Sequence, residues 1–282
     1  MNNFMNELTF VVFTYNEESR IERVIKNLKP FGHVLVADNY STDKTIEIAK
    51  KYGCQVFLNK NPNPGWNENE ITTEKILNTV KTPWVYWAYA DEMISQDTSM
   101  KIKHVIDNDL ADIISIVKKD YYYGQFCNNS LSSRANRIFK KDAIDFSGNR
   151  MHEYGKPTVA KERIYQMPSN FFIHHFISHT ASAVQRLHDS YTDVHAKQSK
   201  YRPPYYLILQ SLKCFFVNYF LRKGFLAGSA GFYHVANRVH YNWLLSMKKH
   251  EDLNKLDREN IERINNYSRE KILSCQKDKI EM

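Results

Sequence analysis

The chain has 282 residues and a mass of 33.3 kDa, with 43% hydrophobic and 25% charged residues. That is enough for one large domain, or one domain with a smaller appendage, and it excludes a disordered chain. The formal net charge is +8, yet residues 171–250 hold ten Lys/Arg against two Asp/Glu while the remainder holds 29 of each, so one segment carries the whole excess. Eight of the eleven histidines lie there too. An anionic partner (membrane surface, nucleic acid or phosphorylated substrate) competes with a merely soluble basic surface as the explanation. Cys54, Cys127, Cys214 and Cys275 are far apart. They match neither a zinc spacing nor a disulfide framework, which points to a reducing cytoplasm. MNNFMNELTF lacks a basic n-region followed by an apolar h-region, so no signal peptide is expected.

The apolar run LTFVVFTY (8–15) reads as a first strand. In 16–29, Ile21, Val24, Ile25 and Leu28 recur like one helix face, with Asn16 as its N-cap. HVLVAD (33–38) is a second strand, 41–53 a helix stopped by Gly53, and CQVFLN (54–59) a third strand. A Pro/Gly loop, NPNPGW (61–66), leads to a helix reaching about Val80; PWVYWAYA (83–90) is a fourth strand, 99–109 a helix and 111–123 a strand. This alternation predicts α/β architecture: a mostly parallel sheet with helices on both faces. Ligands bind such sheets beyond the carboxyl ends of the strands. Here those ends are Thr14–Glu17, Asp38–Asp43, Asn59–Trp66 and Asp91–Glu92, and three of the four carry acids. Residues 124–162 mix short strands and turns, 163–179 form one more strand with a histidine cluster, and the chain from Thr180 onward is helical. The division expected is a nucleotide-binding catalytic domain over 1–180 and a helical, basic and aromatic region over 181–282.

No G-x-G-x-x-G follows the first strand, and neither a P-loop nor a G-x-S-x-G elbow occurs. What does occur is FVVFTYNEESRIERVI, then VLVADNYSTDKTIEIA, then PWVYWAYADE. These stretches, in this order, resemble the family-2 glycosyltransferases of GT-A fold. RIFKKDAIDFSGNRMHE and GFLAGSAGFYHVANRVHYNWLL are similar to the lipopolysaccharide-core glucosyltransferase branch. The resemblance implies an inverting, metal-dependent transfer of a hexose from a nucleotide-diphosphate sugar, UDP-sugar favoured, to a hydroxyl of a glycan or lipid-linked acceptor, in cell-envelope polysaccharide or lipopolysaccharide synthesis.

On that reading Thr14, Tyr15 and Asn16 form the wall of the nucleotide pocket, Glu17 takes ribose hydroxyls and Asp38 accepts the N–H of a uracil-type base. The family writes Asp-x-Asp after the fourth strand, whereas this chain has Tyr89-Ala90-Asp91. The resemblance makes Asp91 the direct ligand of Mg²⁺ or Mn²⁺, with His175 as a further ligand. Mg²⁺ needs only one or two protein carboxylates when phosphates and water complete its shell. Tyr89 supplies a hydroxyl or stacks on the sugar in place of the first carboxylate. Arg134 and Arg137 either pair with the diphosphate through their fork geometry or are strand-surface charges; Arg137 is taken as the donor contact. Glu153, in NRMHEYG, is the expected general base, with Asp145 as second choice.

YYLILQSLKCFFVNYFL (205–221) is too short and too polar to span a bilayer. Between Lys200, Arg202, Arg222 and Lys223 it reads either as a helix in the inner membrane interface or as a core helix of a C-terminal bundle. No nucleic-acid recognition motif accompanies the basic segment, so nucleic acid is not an expected partner. Two other readings stand beside the transferase: a catalytically inactive GT-A-like sugar- or partner-binding protein, motivated by Tyr89, and a nucleotidyltransferase, for which TYNEESR lacks the Gly-rich basic loop.

Overall fold

Seven consecutive buried residues, Leu8–Thr14, form strand β1. A strand apolar on both faces belongs inside a sheet covered on both sides. In the computed structural model, which describes residues 6–60, 70–149 and 153–280, β1 pairs in parallel with β2 (His33–Asp38) on one side and β4 (Trp84–Tyr89) on the other. Strand β3 (Gln55–Leu58) adds outside β2. The crossovers are helices α1 (Ile21–Leu28), α2 (Thr45–Lys51) and α3 (Glu70–Thr79). Alternate β1 residues feed two cores: Leu8, Phe10 and Val12 pack with the α1 stripe Ile21, Val24, Ile25 and Leu28, while Val11 and Phe13 pack with Ile76, Val80 and Trp87.

Beyond β4 the sheet is mixed. β8 (Ser133–Lys140) runs antiparallel to both β4 and β6 (Ile113–Tyr122). β12 (Phe172–Ile177) follows parallel to β6, and β5 (Glu92–Ile94) closes the order β3-β2-β1-β4-β8-β6-β12-β5. Short strands β7 (Gln125–Phe126) and β11 (Ile164–Gln166) attach to β6, and β9 (Ile144–Asp145) and β10 (Lys156–Pro157) pair separately. Helix α4 (Gln96–Asp107) starts earlier than its apolar pattern suggests because Ser95 caps it, its Oγ accepting from the Thr98 N–H.

The remainder is helical: α5 (Ala181–Gln198), α6 (Pro204–Phe216) running into a π turn at Val217–Leu221, α7 (Gly228–Asn254) and α8 (Arg258–Ile280). Asn237 of α7 donates to the Tyr122 hydroxyl (2.7 Å), and Arg222 donates to the carbonyls of Leu131 and Ser132 (3.0 and 2.6 Å), so these helices are tied to the sheet. Gly231 is required where α7 crosses the preceding turn, since a Cβ there would lie 1.9 Å from the Gly224 carbonyl oxygen. Among the described residues no helix is long and apolar enough to cross a membrane.

Asn16 does not cap α1. It adopts φ 56°, its side chain accepts from Thr42, and the helix starts only at Ile21. The expected strand over 163–179 is two, β11 and β12, interrupted by the turn at Pro168–Phe171. The NPNPGW loop lies outside the described residues.

Candidate active site

Register alone brings three strand ends together: Thr14 opposite Asp38, and Phe13 opposite Tyr89. Two loops then lock over β1 and β2. The Asn16 N–H donates to Ser41 Oγ (2.8 Å), and its side-chain oxygen accepts from the Thr42 N–H (2.8 Å). The Glu17 N–H donates to Thr45 Oγ1 (2.7 Å) and the Glu18 N–H to Asp43 Oδ2 (3.0 Å). Beneath them Asp38 is 0% exposed and accepts from Thr14 Oγ1 (2.7 Å), the Ser41 N–H (2.7 Å) and Ser41 Oγ (2.6 Å). Three of its roughly four acceptor positions are therefore used inside the protein. Tyr15 and Tyr40, by contrast, are 57% and 53% exposed. Glu17 is held by both forks of Arg20 (2.6 and 2.8 Å). Burial, aided by Asp91 and Asp43, raises its pKa against the pull of Arg20.

Asp91 sits in the turn from β4 to β5, where its carbonyl accepts from the Phe176 N–H (2.8 Å). Its Oδ2 lies 3.3 Å from His175 Nε2, and His175 Nδ1 lies 2.8 Å from Asp120 Oδ1. Burial opposes charge on all three groups, but their mutual bonds prevail. The Asp91 carboxyl is held well below the usual range by His175, Arg20 and Lys118. Asp120 is also lowered, and His175 is pushed up to about 9 by its two carboxylates. The imidazole is thus a cation bridging two anions.

This pair fits part of a divalent-cation shell. Adjacent ligands of an octahedral ion with bonds near 2.1 Å are about 3 Å apart, close to the Asp91–His175 separation. Asp120 fixes the other ring nitrogen, the usual support for a metal-bound histidine. Among the described residues no three ligating side chains converge, so phosphate and water oxygens would complete the shell.

Arg137 does not reach this space. Its side chain is 2% exposed; Nε donates to the Trp87 carbonyl (2.7 Å), and Nη1 and Nη2 donate to Glu92 (3.1 and 2.5 Å). The expected diphosphate contact is corrected: the guanidinium is spent on a buried carboxylate, because Glu92 points inward from β5 and needs a partner. It also lies 4.9 Å from the centre of the Tyr89 ring, which packs on Phe13 (5.6 Å). Tyr89 is thereby fixed where the motif's first carboxylate was expected, and Ala90 is buried in the core. Arg134 likewise serves the fold, donating to the Ser115 and Met167 carbonyls.

A cleft of about 750 Å³ lies between this edge and the helices; Tyr89, Asp91 and His175 line the sheet side, and Val184, His234 and Arg238 the α5–α7 side. Asp145 and Glu153 do not line it. The Asp145 carboxylate is exposed and accepts from Ser147, and Glu153 is exposed with its carbonyl accepting from Asn149. Tyr154, the next residue, does line the cleft. The neighbouring His152 lies outside the described residues. Sequence reading missed Asp120, His234 and Arg238. Asp120 sits near the end of β6, so the strand-end rule could have found it; the i,i+4 spacing of His234 and Arg238 on α7 was the other available signal.

The parallel β3-β2-β1-β4 edge gathers its acids beyond the carboxyl ends of the strands, the place where open α/β sheets bind ligands. The model of glycosyl transferase family 2 matches residues 9–253, and the chain belongs to that family. Its mixed sheet with flanking helices is the GT-A fold. An uncharacterized glycosyltransferase of Rickettsia prowazekii is 25% identical over 247 residues, 81% of each chain. Similar solved structures include the Pyrobaculum calidifontis mannosyltransferase PcManGT with GDP-Man and Mn²⁺ (14% identity, 88% of each chain, TM-score 0.48). Another is S. aureus TarS residues 1–349 with UDP (17% identity, TM-score 0.45), which matches 67% of this chain; the match spans 63% of that chain, less than two thirds of its length.

Proposed function

We propose that the protein is a metal-dependent, inverting hexosyltransferase. It moves a hexose from a UDP-sugar to a hydroxyl of a glycan or lipid-linked acceptor of the cell envelope, of lipopolysaccharide type. The observation that carries this reading is the convergence of Asp91 and His175, 3.3 Å apart, on a cleft beside the locked Asn16–Thr45 loops.

In this reading the exposed faces of Tyr15 and Tyr40 receive the base, Asp38 braces the loop beneath it, and Glu17 meets the ribose. Asp91 and His175 hold Mg²⁺ or Mn²⁺, and Asp120 keeps the His175 ring oriented. Bound there, the ion stabilises negative charge on the departing diphosphate. Glu153, or failing it Asp145, takes the proton from the acceptor hydroxyl as its oxygen bonds to the anomeric carbon and the bond to the diphosphate breaks on the opposite face. Placement at the inner membrane face is supported by α6, which exposes Ile208, Leu209, Leu212 and Phe216 near Lys200, Arg202 and Lys223. The division into a catalytic unit over 1–180 and an acceptor- or membrane-contacting unit over 181–282 belongs to the same reading.

The test is release of UDP from UDP-sugars with Mn²⁺. The wild type turns over and Asp91→Ala loses about 100-fold or more, as removal of a direct metal ligand demands. Unchanged metal-dependent turnover in Asp91→Ala refutes the site. Donor binding without release of nucleotide by the wild type establishes instead the binding-only protein that Tyr89 suggests.

A further inference from the structure

On the sheet side of the cleft His175 is matched by Asp91 and Asp120, and the lining Glu92 is paired with the buried Arg137 behind it. The helical wall differs. Arg238 of α7 lines the cleft and is exposed, and Nε donates to His234 Nε2 (3.2 Å). Among the described residues Nη1 and Nη2 make no hydrogen bond and no carboxylate pairs with them. His234 gives no counter-charge, since burial and the neighbouring Arg238 pull its pKa down to about 4 and leave the ring neutral. Reduced hydration and then the Arg222 charge lower the pKa of Arg238 itself. Lys118 of β6 lines the same cleft, but its charge acts on Asp91 and Asp120 and so belongs to the His175 cluster.

The position of Arg238 matters as much as its charge. His234, its partner on α7, packs edge-on against Tyr122 (5.0 Å) and Asn237 donates to the Tyr122 hydroxyl (2.7 Å), two residues beyond Asp120 on β6. The guanidinium is therefore on the α7 wall, over the carboxyl end of β6. An unpaired fork in a partly desolvated wall favours an anion with several acceptor oxygens.

We propose that Arg238 forms an anion subsite on the helical wall of the cleft, at its acceptor side, and holds a phosphate group carried by the acceptor. The word acceptor rests on the glycosyl-transfer reading; the anion binding does not. A phosphate there is chemically distinct from the donor diphosphate at Asp91, and it is carried either by a lipid or by a soluble phosphosugar.

Two titrations test this on the full chain. Inorganic phosphate is titrated calorimetrically in EDTA, and UDP is titrated with Mn²⁺. The wild type binds phosphate saturably. Arg238→Gln weakens that binding about tenfold or more, the loss expected for charge-assisted hydrogen bonds, and Arg238→Lys retains more of it. UDP affinity is the same in all three proteins. Phosphate affinity unchanged in Arg238→Gln overturns the proposal, as does a parallel loss of UDP affinity, which assigns the guanidinium to the donor diphosphate. If Arg238→Gln does not fold, Arg238→Met carries the same two outcomes. Absence of UDP binding by the wild type, with Arg238-dependent phosphate binding intact, defeats the donor reading and leaves the subsite standing. Octyl phosphate against glucose 1-phosphate separates the carriers: tighter, Arg238-dependent binding of the first supports a lipid phosphate, and of the second a soluble one.

Discussion

Replacing Arg137 by Met tests whether this cation belongs to the core or to the substrate. The Arg137 and Glu92 side chains are 2% and 4% exposed, and the guanidinium makes three hydrogen bonds, two to Glu92 and one to the Trp87 carbonyl. Removing one member of a buried pair costs about 3–5 kcal/mol, because the remaining charge is left uncompensated. The orphaned carbonyl adds about 1 kcal/mol. A loss near 5 kcal/mol consumes much of the roughly 5–15 kcal/mol that a native protein has. With a urea m-value of about 2–3 kcal/mol/M, the unfolding midpoint falls by about 2 M. Arg137→Met combined with Glu92→Leu recovers at least half of that, since the stranded charge is gone. Urea unfolding followed by tryptophan fluorescence reads all three proteins, and calorimetric titration of UDP reads the folded fraction. A loss below about 1 kcal/mol refutes the reasoning. So does an Arg137→Lys protein of normal stability with weakened UDP binding, which returns Arg137 to the diphosphate.

His175 gives a pH signature in metal-free protein. Its folded-state pKa is raised to about 9 from 6.5, so its stabilisation is complete below about pH 6.5 and is lost as pH rises through about 9. The melting temperature in EDTA therefore falls over that window, His175→Gln flattens the fall, and a flat wild-type profile contradicts the bridge. Gly231→Ala forces a methyl against the Gly224 carbonyl and lowers stability by about 1–3 kcal/mol; an unchanged melting temperature means that α7 is not packed as described. Asn16→Ala strains a left-handed residue and cuts the link to Thr42, costing about 2 kcal/mol and weakening UDP binding; a neutral outcome in both measurements removes Asn16 from the site.

The parallel half of the fold was legible because its signals are local. Residues 8–14 are apolar without interruption, and the stripe at Ile21, Val24, Ile25 and Leu28 has helical period. β5 was not legible, since three residues following Asp91 carry no periodicity and are made a strand only by β12. The same limit governs the site. Glu17, Asp38 and Asp91 follow from the strand-end rule, but Asp120 and Arg238 become relevant only when β6, β12 and α7 are assembled. Arg137 was misread for a related reason: a guanidinium motif in sequence does not reveal an inward carboxylate 45 residues away. Asn16 looked like a cap because the competing partner, Thr42, is brought near only by the pairing of β1 with β2.

The locked loops have a kinetic consequence. Their cross-links join residues only 25–28 apart, from the loop after β1 to the loop after β2 and the first residue of α2. The Asp120–His175 contact spans 55 residues and the Arg20–Ser178 contact 158. Loop-closure entropy grows with span and low contact order favours early formation, so the loops after β1 and β2 mature first as the chain emerges, and the Asp91–His175–Asp120 cluster only after β12 has been threaded beside β6. Hydrogen-exchange pulse labelling during refolding should show amide protection at 39–45 before 172–177.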